Sequence, residues 1–369
     1  MTIGTEHEFS INDSEFHPLP VSDQILKEIC GSFESEILFG DVWLAKELQK
    51  TVIEMVPRSP AVEIAALESQ LTQGLSRFYR IFGNRYRLLG LGMHPTARVH
   101  EIPVWDHDEG EYYRTYDRLF DIRQHGWLNI QALQINLSFQ DSSELVFLFN
   151  RIRSLLPYLI AITASSPVVE GKLTGSCDNR LLFYRQNQKE LPAICSGIIP
   201  EKIRTVADHK RRMESIWREL RSRDADILCE EWVDSAGVIV RFSRKCLEIK
   251  ALDEQESIRS DMAFAAFVRP LLRCHTLPVE TGQDALLELA ELAVQRGTSG
   301  LKDELRQMYD LAWRNATPDE RGYLPIVRDR IENGCLAERI AGRISRGKAL
   351  TTVLADMETC LRENRAYGL

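Results

Sequence analysis

Close pairs of cysteines are missing from this sequence. Its eight cysteines are spread over 369 residues without a single C-x-x-C pair, and several stand among apolar neighbours. Cysteine-rich zinc modules and thioredoxin-like redox motifs depend on such pairs, so neither is indicated. We therefore expect reduced, mostly structural thiols, as is typical of cytoplasmic proteins.

Long apolar runs and a leader-like start are missing as well. No run approaches the roughly 18 apolar residues that indicate a membrane span. The opening MTIGTEHEFSIND has no basic stretch followed by an apolar one, which argues against a signal peptide. These two absences predict a cytoplasmic protein with no membrane partner.

The sequence also has no surplus of basic residues. Lys and Arg number 46 against 54 Asp and Glu, which gives a formal net charge of -8. Because nucleic-acid binding depends on neutralising phosphates with basic side chains, no nucleic-acid partner is expected. The apolar fraction of 44% and the charged fraction of 27% are ordinary for a globular protein.

Period-two patterns predict strands in the first two thirds of the chain. Over residues 3–11 the odd positions are mainly apolar, whereas Glu6 and Glu8 occupy even positions. Further strands are predicted at residues 50–56, 87–94, 132–139, 237–242 and 246–251. In segment 87–94 one face carries Gly90 and Gly92, which would let another backbone or a ligand approach closely.

Helical spacing predicts helices at about residues 60–82, 142–164 and 204–223, and nearly throughout from residue 261. Pro157 is expected to interrupt the second of these helices. Strands early and helices late indicate an α+β protein. The length alone allows either two domains or one large one.

Four glutamates fall on the polar side of the predicted strands: Glu6, Glu8, Glu54 and Glu248. The two-residue spacing places Glu6 and Glu8 on the same face of a sheet. Clustered carboxylates repel one another and lose hydration unless a cation compensates them. Mg²⁺ prefers such oxygen ligands and bridges them to nucleotide phosphates, so the set suits two or three ions. A Glu-x-Glu pair taken alone would not indicate a metal site.

Seven segments follow one another over the first 260 or so residues: TEHEF, TVIEMVPRSP, LLGLGMHPTAR, LNIQALQINLSF, LLPYLIAITASSP, EGKLTGSCDNR and VIVRFSRKCLEIKALD. In this order they resemble the glutamate–cysteine ligase family, plant-like branch, of the glutamine-synthetase-like superfamily. The resemblance implies an α+β fold whose curved, mostly antiparallel sheet forms a funnel with helices outside. It also implies one catalytic domain over residues 1–369, with the sheet motifs in 1–260 and a mainly helical part in 261–369.

The resemblance further implies roles for single residues. Magnesium, or Mn²⁺ in its place, would be held by Glu6, Glu8, Glu54 and Glu248, and Glu54 would also be catalytic. Arg180 stands five residues after Gly175, as the family's arginine does. Its bidentate fork would contact a phosphate or the substrate carboxylate. ATP would be bound by Asn136, Gln134, Arg180 and Lys250, with His94 as a second-rank candidate.

The function implied is ATP-dependent joining of a carboxylate to an amine through an acyl phosphate. L-glutamate is the expected donor and L-cysteine the default acceptor, giving a γ-glutamyl amide as in glutathione biosynthesis, and the family expectation is a homodimer. Another amine stays open as acceptor, because Lys250 replaces the family's arginine and Ser176-Cys177-Asp178-Asn179 replaces a Tyr-rich stretch. A phosphotransferase of the same superfamily and a non-catalytic nucleotide-binding descendant also stay open as functions.

A zinc site at His94, His100 and His107 is a weaker interpretation. These histidines are six and seven residues apart in a segment with two prolines, and no cysteine accompanies them. A surface or capping role is favoured over metal binding for all three.

Overall fold

The computed structural model describes residues 1–108, 110–195, 197–277 and 282–368. Eight strands build its main sheet: β1 (Ile3–Asn12), β2 (Glu36–Phe39), β3 (Val42–Lys46), β4 (Val52–Pro57), β5 (Arg87–Leu89), β6 (Ala132–Ser138), β9 (Val238–Arg241) and β10 (Cys246–Asp253). A separate ribbon consists of β7 (Val168–Val169) and β8 (Lys172–Leu173).

The strands of the main sheet follow the order β2-β3-β4-β1-β6-β10-β9, and β5 pairs with the far end of β1. Every neighbouring pair in this order is antiparallel. Strand β1 therefore lies at the centre of the sheet, hydrogen-bonded on both sides. Its period-two sequence suits this place, because the apolar Ile3, Phe9 and Ile11 join the main core and the glutamates project to the other face.

Helices cover the sheet and make up most of the chain after its last strand, β10. They are α1 (Ser22–Cys30), α2 (Ile64–Phe82), α3 (Gly110–Phe120), α4 (His125–Leu128), α5 (Ser142–Thr163), α6 (Asn179–Tyr184), α7 (Val206–Arg221), α8 (Ile258–Arg273), α9 (Gln283–Arg296), α10 (Lys302–Asn315), α11 (Pro318–Arg321), α12 (Leu324–Asn333), α13 (Leu336–Ser345) and α14 (Leu350–Glu363). The prediction of a helical pattern from about residue 261 is confirmed, with the first of these helices starting at Ile258.

Helix α5 packs beneath the sheet against β10, α8 and α9. The expected interruption at Pro157 is wrong, because the helix continues through Pro157 to Thr163. Residues 152–163 are buried throughout, so packing on all sides stabilises the helix despite the missing N–H of proline. By length and composition alone α5 could cross a membrane, but 78% of its most apolar window is buried inside the protein.

The predicted strand 87–94 ends early, at Leu89. A Cβ atom at Gly90 would collide with the carbonyl oxygen of Gln255, and one at Gly92 would collide with the carboxylate of Asp253. The end of β10 and the residues after it thus lie directly against these two glycines and take the space that a longer strand would need. The close approach that the sequence predicts at Gly90 and Gly92 is therefore made by another segment of the same chain.

The hairpin of β2 and β3 is not predicted from the sequence. Its two strands are joined by a tight turn at Gly40, whose φ of 72° is one that glycine adopts readily. Strand β3 then pairs with β4, which places Ala45 opposite Glu54. This hairpin extends the sheet beyond β4 and forms one wall of the site described next.

Candidate functional site

The pairing of the central strands brings the polar residues of the sequence motifs to one face of the sheet. Glu8 lies opposite Glu54, and Glu6 lies opposite Gln134. Asn136 lies opposite Gly4 on one side and opposite Glu248 on the other. Because residues paired across strands project to the same side, the four predicted glutamates and both amides share one face.

Three carboxylates on this face lie close together. Oxygen atoms of Glu8, Glu47 and Glu54 all lie within 4.8 Å of one another. Glu8 is buried, whereas Glu47 and Glu54 remain partly exposed. Glu47 comes two residues after Ala45, so it projects on the same side as Glu54. The three side chains form the candidate metal centre, which we call the carboxylate cluster.

The negative charges of the carboxylate cluster repel one another. Burial, followed by the charge of Glu47, raises the pKa of Glu8 to about 8. Burial also raises the pKa of Glu54 well above its usual value, and the charges of Glu6, Glu47 and Glu8 add to this. The pKa of Glu47 is raised mainly by burial. Such a group is stabilised by a cation, and its oxygen donors are those that Mg²⁺ prefers.

Amide groups of strand β6 orient two of the glutamates. The side-chain amide of Gln134 donates to Oε1 of Glu8 at 3.0 Å, and the backbone N–H of Ala132 donates to Oε2 at 2.8 Å. The side-chain amide of Asn136 donates to Oε1 of Glu6 at 3.0 Å. Gln134 and Asn136 therefore hold carboxylates in place, and Asn136 also lines a cavity beside Glu6.

Glu248 has a different environment from the carboxylate cluster. Its Oε2 lies 2.5 Å from Nη1 of Arg241, and its Oε1 lies 3.6 Å from Nζ of Lys250. Glu6 is also paired, with Nη1 of Arg244 at 2.8 Å from its Oε1. The structure thus groups Glu8 and Glu54 with Glu47, keeps Glu6 beside them, and surrounds Glu248 with cations.

Arg180 is buried at the start of α6 and is fixed by Asp253. Its Nε lies 2.7 Å from Oδ1 of Asp253, and both terminal nitrogens donate to the carbonyl oxygen of Lys250 at 3.3 Å. Asp253 in turn accepts from the backbone N–H of Ser165 and from the hydroxyl of Ser166, each at 2.8 Å. The positive charge of Arg180 lowers the pKa of Glu8, opposing the effect of burial.

Two cavities open beside the glutamates. A cavity of about 220 Å³ lies next to Glu8, Glu47 and Lys250. Its wall includes five aromatic side chains: Tyr113, Tyr116, Trp127, Tyr184 and Trp232. A second cavity of about 340 Å³ lies next to Glu6 and is lined also by Asn136, Ser138 and Arg244. We call them the aromatic cavity and the Glu6 cavity.

The three histidines of the zinc interpretation do not come together. His94 is buried, its Nε2 is 2.7 Å from Oδ1 of Asn12, and burial lowers its pKa to about 3. His100 is exposed, and His107 lies 3.0 Å from Asp23. Within the described ranges, no group of potential metal ligands contains two of these histidines.

Glu47 is the residue that reasoning from the sequence missed. Its signal is the alternation of Trp43, Ala45 and Glu47 in a segment that continues the period of β3. Because the sequence does not predict β3 as a strand, this alternation could not be assigned to one face of the sheet. The aromatic cavity could not be located from the sequence, because its five aromatic side chains come from segments far apart in the chain.

Comparison with known proteins agrees with this geometry. A family description for glutamate-cysteine ligase family 2 matches residues 2–349. An uncharacterized protein of Archaeoglobus fulgidus is 46% identical over 370 residues, covering 99% of this chain and 100% of that protein. A glutamate–cysteine ligase of Halobacterium salinarum is 30% identical over 190 residues, which cover 50% of this chain and 48% of that protein. The alignment thus spans about half the length of this named relative.

Two solved structures share the fold. A glutamate–cysteine ligase of Francisella tularensis, solved in complex with AMP, has a TM-score of 0.68 at 13% identity and covers 100% of this chain and 89% of that chain. A bifunctional glutathione synthetase of Pasteurella multocida has a TM-score of 0.67 at 13% identity, with 98% and 52% covered. The predicted α+β fold is therefore confirmed.

The fold and the family match define the class of protein as ATP-dependent ligases that form C–N bonds. More narrowly, the chain belongs to glutamate-cysteine ligase family 2. The resemblance carried by the seven sequence segments is thereby confirmed, whereas the roles of single residues and the identity of the substrates are matters for proposal.

Proposed function

We propose that this protein joins a small carboxylate to an amine through an acyl phosphate, with Mg²⁺ held by Glu8, Glu47 and Glu54. The observation that carries the proposal is the carboxylate cluster itself. Three acidic side chains on adjacent parts of one sheet lie within 4.8 Å of one another and have raised pKa values. An arrangement that costs stability when ionised is expected where a bound cation offsets the cost.

Oxygen donors and partial exposure make the carboxylate cluster suitable for Mg²⁺. When bound there, Mg²⁺ would neutralise phosphate charge and orient the γ-phosphoryl group toward the acceptor carboxylate. Glu6 lies beside the cluster and would extend it to a further ion. In this proposal Glu248 is a weaker ligand than the others, because Arg241 and Lys250 already neutralise it.

The Glu6 cavity is the proposed place for ATP. Its polar wall includes Asn136, Ser138 and Arg244, and its volume of about 340 Å³ is within the range of small-molecule sites. Arg244 has a cationic fork that suits phosphate oxygens. Gln134 and Lys250, which the sequence resemblance also implies for ATP, lie beside Glu8 and in the wall of the aromatic cavity, so they would meet only the phosphate end of the nucleotide.

The aromatic cavity is the proposed place for the carboxylate and the amine. Lys250 offers a positive charge for a carboxylate, and the aromatic side chains offer ring faces for an ammonium group. These groups fit an amino acid such as L-glutamate as donor. L-cysteine remains the default acceptor, and another amine is the alternative, because a lysine cannot reproduce the bidentate contact of an arginine.

The proposed reaction has two steps. A carboxylate oxygen attacks the γ-phosphorus and ADP leaves; the amine nitrogen then attacks the acyl carbon, phosphate leaves, and the amine proton is released. Arg180 contributes a fixed positive charge near Glu8, and its bond to Asp253 keeps the guanidinium oriented while charge develops. Glu8 and Glu54 would hold the cation that offsets the negative charge of the two reacting groups.

Product identification by mass spectrometry tests this proposal. Purified protein would be incubated with ATP, Mg²⁺ and a panel of carboxylates and amines. A ligase yields an amide together with ADP and phosphate, whereas a phosphotransferase yields a stable phosphorylated compound. Nucleotide-dependent thermal stabilisation without any product would indicate a non-catalytic binder and would contradict the proposal. Light scattering of the same preparation tests the proposed homodimer.

A further inference from the structure

A second group of potential metal ligands lies on the opposite face of the sheet from the carboxylate cluster. His7 is on β1 between Glu6 and Glu8, so its side chain projects away from theirs. There it meets Glu254, which follows β10, and Asp261 in the first turn of α8. All three side chains are fully buried.

Two separations within this group suit ligands that share one metal ion. Nδ1 of His7 lies 3.3 Å from Oε1 of Glu254 and 3.3 Å from Oδ2 of Asp261, and the three ligand atoms lie within 4.8 Å of one another. Charge-assisted N–H···O bonds are shorter, about 2.7–2.9 Å. Ligands about 2.0 Å from a tetrahedral metal ion are about 3.3 Å apart, so the separations match two edges of such a polyhedron.

The hydrogen bonds of the three side chains do not satisfy all of their inward-facing polar atoms. Nδ1 of His7 can direct only one proton or one lone pair, yet two carboxylates lie at equal distance from it. Although the side chain of Asp261 is completely buried, neither of its carboxylate oxygens makes a hydrogen bond of regular geometry with a described residue; its polar neighbours are His7 and the carboxyl of Glu254. Two buried carboxyl groups side by side with a single imidazole are costly when ionised, and a metal ion between them would compensate both.

The outer contacts orient the ligands as in known metal sites. Nε2 of His7 lies 2.9 Å from the hydroxyl of Thr5, which leaves Nδ1 as the inward nitrogen. Oε2 of Glu254 accepts from the backbone N–H of Glu8 at 3.3 Å, which leaves Oε1 for the centre. Within the described part of the chain, His7 is the only basic side chain that either carboxylate contacts.

We propose that His7, Glu254 and Asp261 bind one divalent transition-metal ion, for which Zn²⁺ is the probe. One imidazole nitrogen and two carboxylate oxygens form a mixed set that suits Zn²⁺ better than Mg²⁺. The second oxygen of Asp261 or a water completes the coordination. The ion joins β1, the segment after β10 and α8, and it fixes the backbone of Glu8 from behind the sheet.

Metal analysis of the whole protein tests this inference without reference to activity. The protein would be loaded with Zn²⁺, dialysed with excess Mg²⁺, and its zinc content measured by mass spectrometry. We expect one Zn²⁺ per chain in the wild type and in Glu54→Gln, which alters only the carboxylate cluster. His7→Gln and Asp261→Asn should each bind Zn²⁺ at least about 100-fold more weakly.

Co²⁺ provides a second readout. Thr5→Val provides a milder variant, because valine keeps the shape of threonine but lacks the hydroxyl that contacts His7. Bound Co²⁺ should give visible bands of four- or five-coordinate cobalt that persist in Glu54→Gln, and Thr5→Val should weaken the affinity about 10- to 100-fold. Should His7→Gln and Asp261→Asn fail to fold, the Co²⁺ spectra of Glu54→Gln and Thr5→Val decide the question. Absence of the bands in both wild type and Glu54→Gln, or zinc content equal in wild type and His7→Gln, overturns the inference and leaves the proposed ligase unaffected.

Discussion

At the scale of single residues, the glutamates of the carboxylate cluster are destabilised when ionised, and two of them are partly exposed to solvent. Glu8, Glu47 and Glu54 each have a raised pKa, with burial as the first cause. Nearby cations offset only part of this effect: Lys46 and Lys250 lower the pKa of Glu47, and Arg180 lowers the pKa of Glu8, but burial outweighs them. This imbalance is the physical reason for placing Mg²⁺ here and not at Glu248, whose charge is balanced by Arg241.

Replacing Glu54 by glutamine should abolish most of the activity without unfolding the protein. Glu54→Gln keeps the shape of the side chain but removes one negative ligand, so ATP turnover at fixed Mg²⁺ should fall about 100-fold or more. Steady-state ADP release measures the effect. Glu36→Gln is the matched control, because Glu36 is an exposed glutamate on β2 of the same sheet. Unchanged turnover in Glu54→Gln would contradict the assignment.

The stability of the metal-free protein should depend on pH in a defined direction. The folded-state pKa of Glu8 is raised from 4.5 to about 8, so the stability it contributes is complete below pH 4.5. That contribution is lost as the pH rises through about 8. In EDTA, Tm should therefore fall between about pH 5 and pH 8.

Saturating Mg²⁺ should remove most of this fall, because the ion offsets the ionised carboxylates. Glu54→Gln should show a shallower fall than the wild type in EDTA, since one of the interacting charges is gone. Differential scanning calorimetry at a series of pH values checks both points. A Tm that is independent of pH and Mg²⁺ over this range would argue against a metal site at the cluster.

Sequence reasoning reached part of this site for identifiable reasons. The two-residue spacing of Glu6 and Glu8 is a local property, so their common face could be predicted and is confirmed by the pairing of β1. Glu47 could not be found in the same way, because its position depends on the pairing of β3 with β4. The roles proposed for Arg180, Asn136, Gln134 and Lys250 stay predictions until variants are measured.

At the scale of elements, the packing of α2 against the sheet depends on one small residue. Gly74 lies in α2, and a Cβ atom there would lie 2.6 Å from Cγ2 of Val42 and 3.2 Å from Sδ of Met55. A β-branched valine on a strand has little freedom to move aside. The close approach of α2 to β3 and β4 therefore requires glycine at this position.

Alanine at two helical glycines should have opposite effects on stability. Gly74→Ala should lower the free energy of unfolding by about 1–3 kcal/mol, because overcrowding outweighs the gain in helix propensity. Gly342 lies in α13, where the nearest atom to a new Cβ is Nη1 of the flexible Arg346 at 3.5 Å. Gly342→Ala should therefore raise the free energy of unfolding by up to about 1 kcal/mol. Urea unfolding measures both, and equal signs would show that the packing of α2 is described wrongly.

Several helices and strands could be predicted from local sequence patterns. The bounds of others depend on contacts between segments that are far apart in the sequence. The alternation of β1 and β6 and the helical spacing of α2 and α7 are local signals, so these elements are predictable. The continuation of α5 through Pro157 reflects burial on all sides, which no local rule contains. The early end of β5 at Leu89 reflects the approach of Gln255, which is distant in sequence.

At the scale of the whole molecule, the sheet and the later helices share one hydrophobic core. The largest cluster of buried apolar side chains runs from Ile3 to Ala366. A buried ion pair adds to this connection, with Nη2 of Arg330 on α12 at 2.5 Å from Oε1 of Glu256 before α8. This continuity supports the prediction of one domain over residues 1–369.

A single domain should unfold in a single transition. Of six tryptophans, only Trp313 lies after residue 261, so fluorescence reports mainly on the sheet-bearing part. Far-ultraviolet circular dichroism also reports on the helices of the later part. The two urea unfolding curves should coincide. Separate midpoints would divide the chain into two domains.

The central claim is that the carboxylate cluster serves an ATP-dependent ligase, and the most direct measurement of it is ADP release. Wild-type and Glu54→Gln protein would be supplied with ATP, Mg²⁺ and L-glutamate, with and without a panel of amines led by L-cysteine. We predict turnover that depends on the amine in the wild type and is lost in Glu54→Gln. Turnover that ignores the amine, or that survives in Glu54→Gln, would contradict the account.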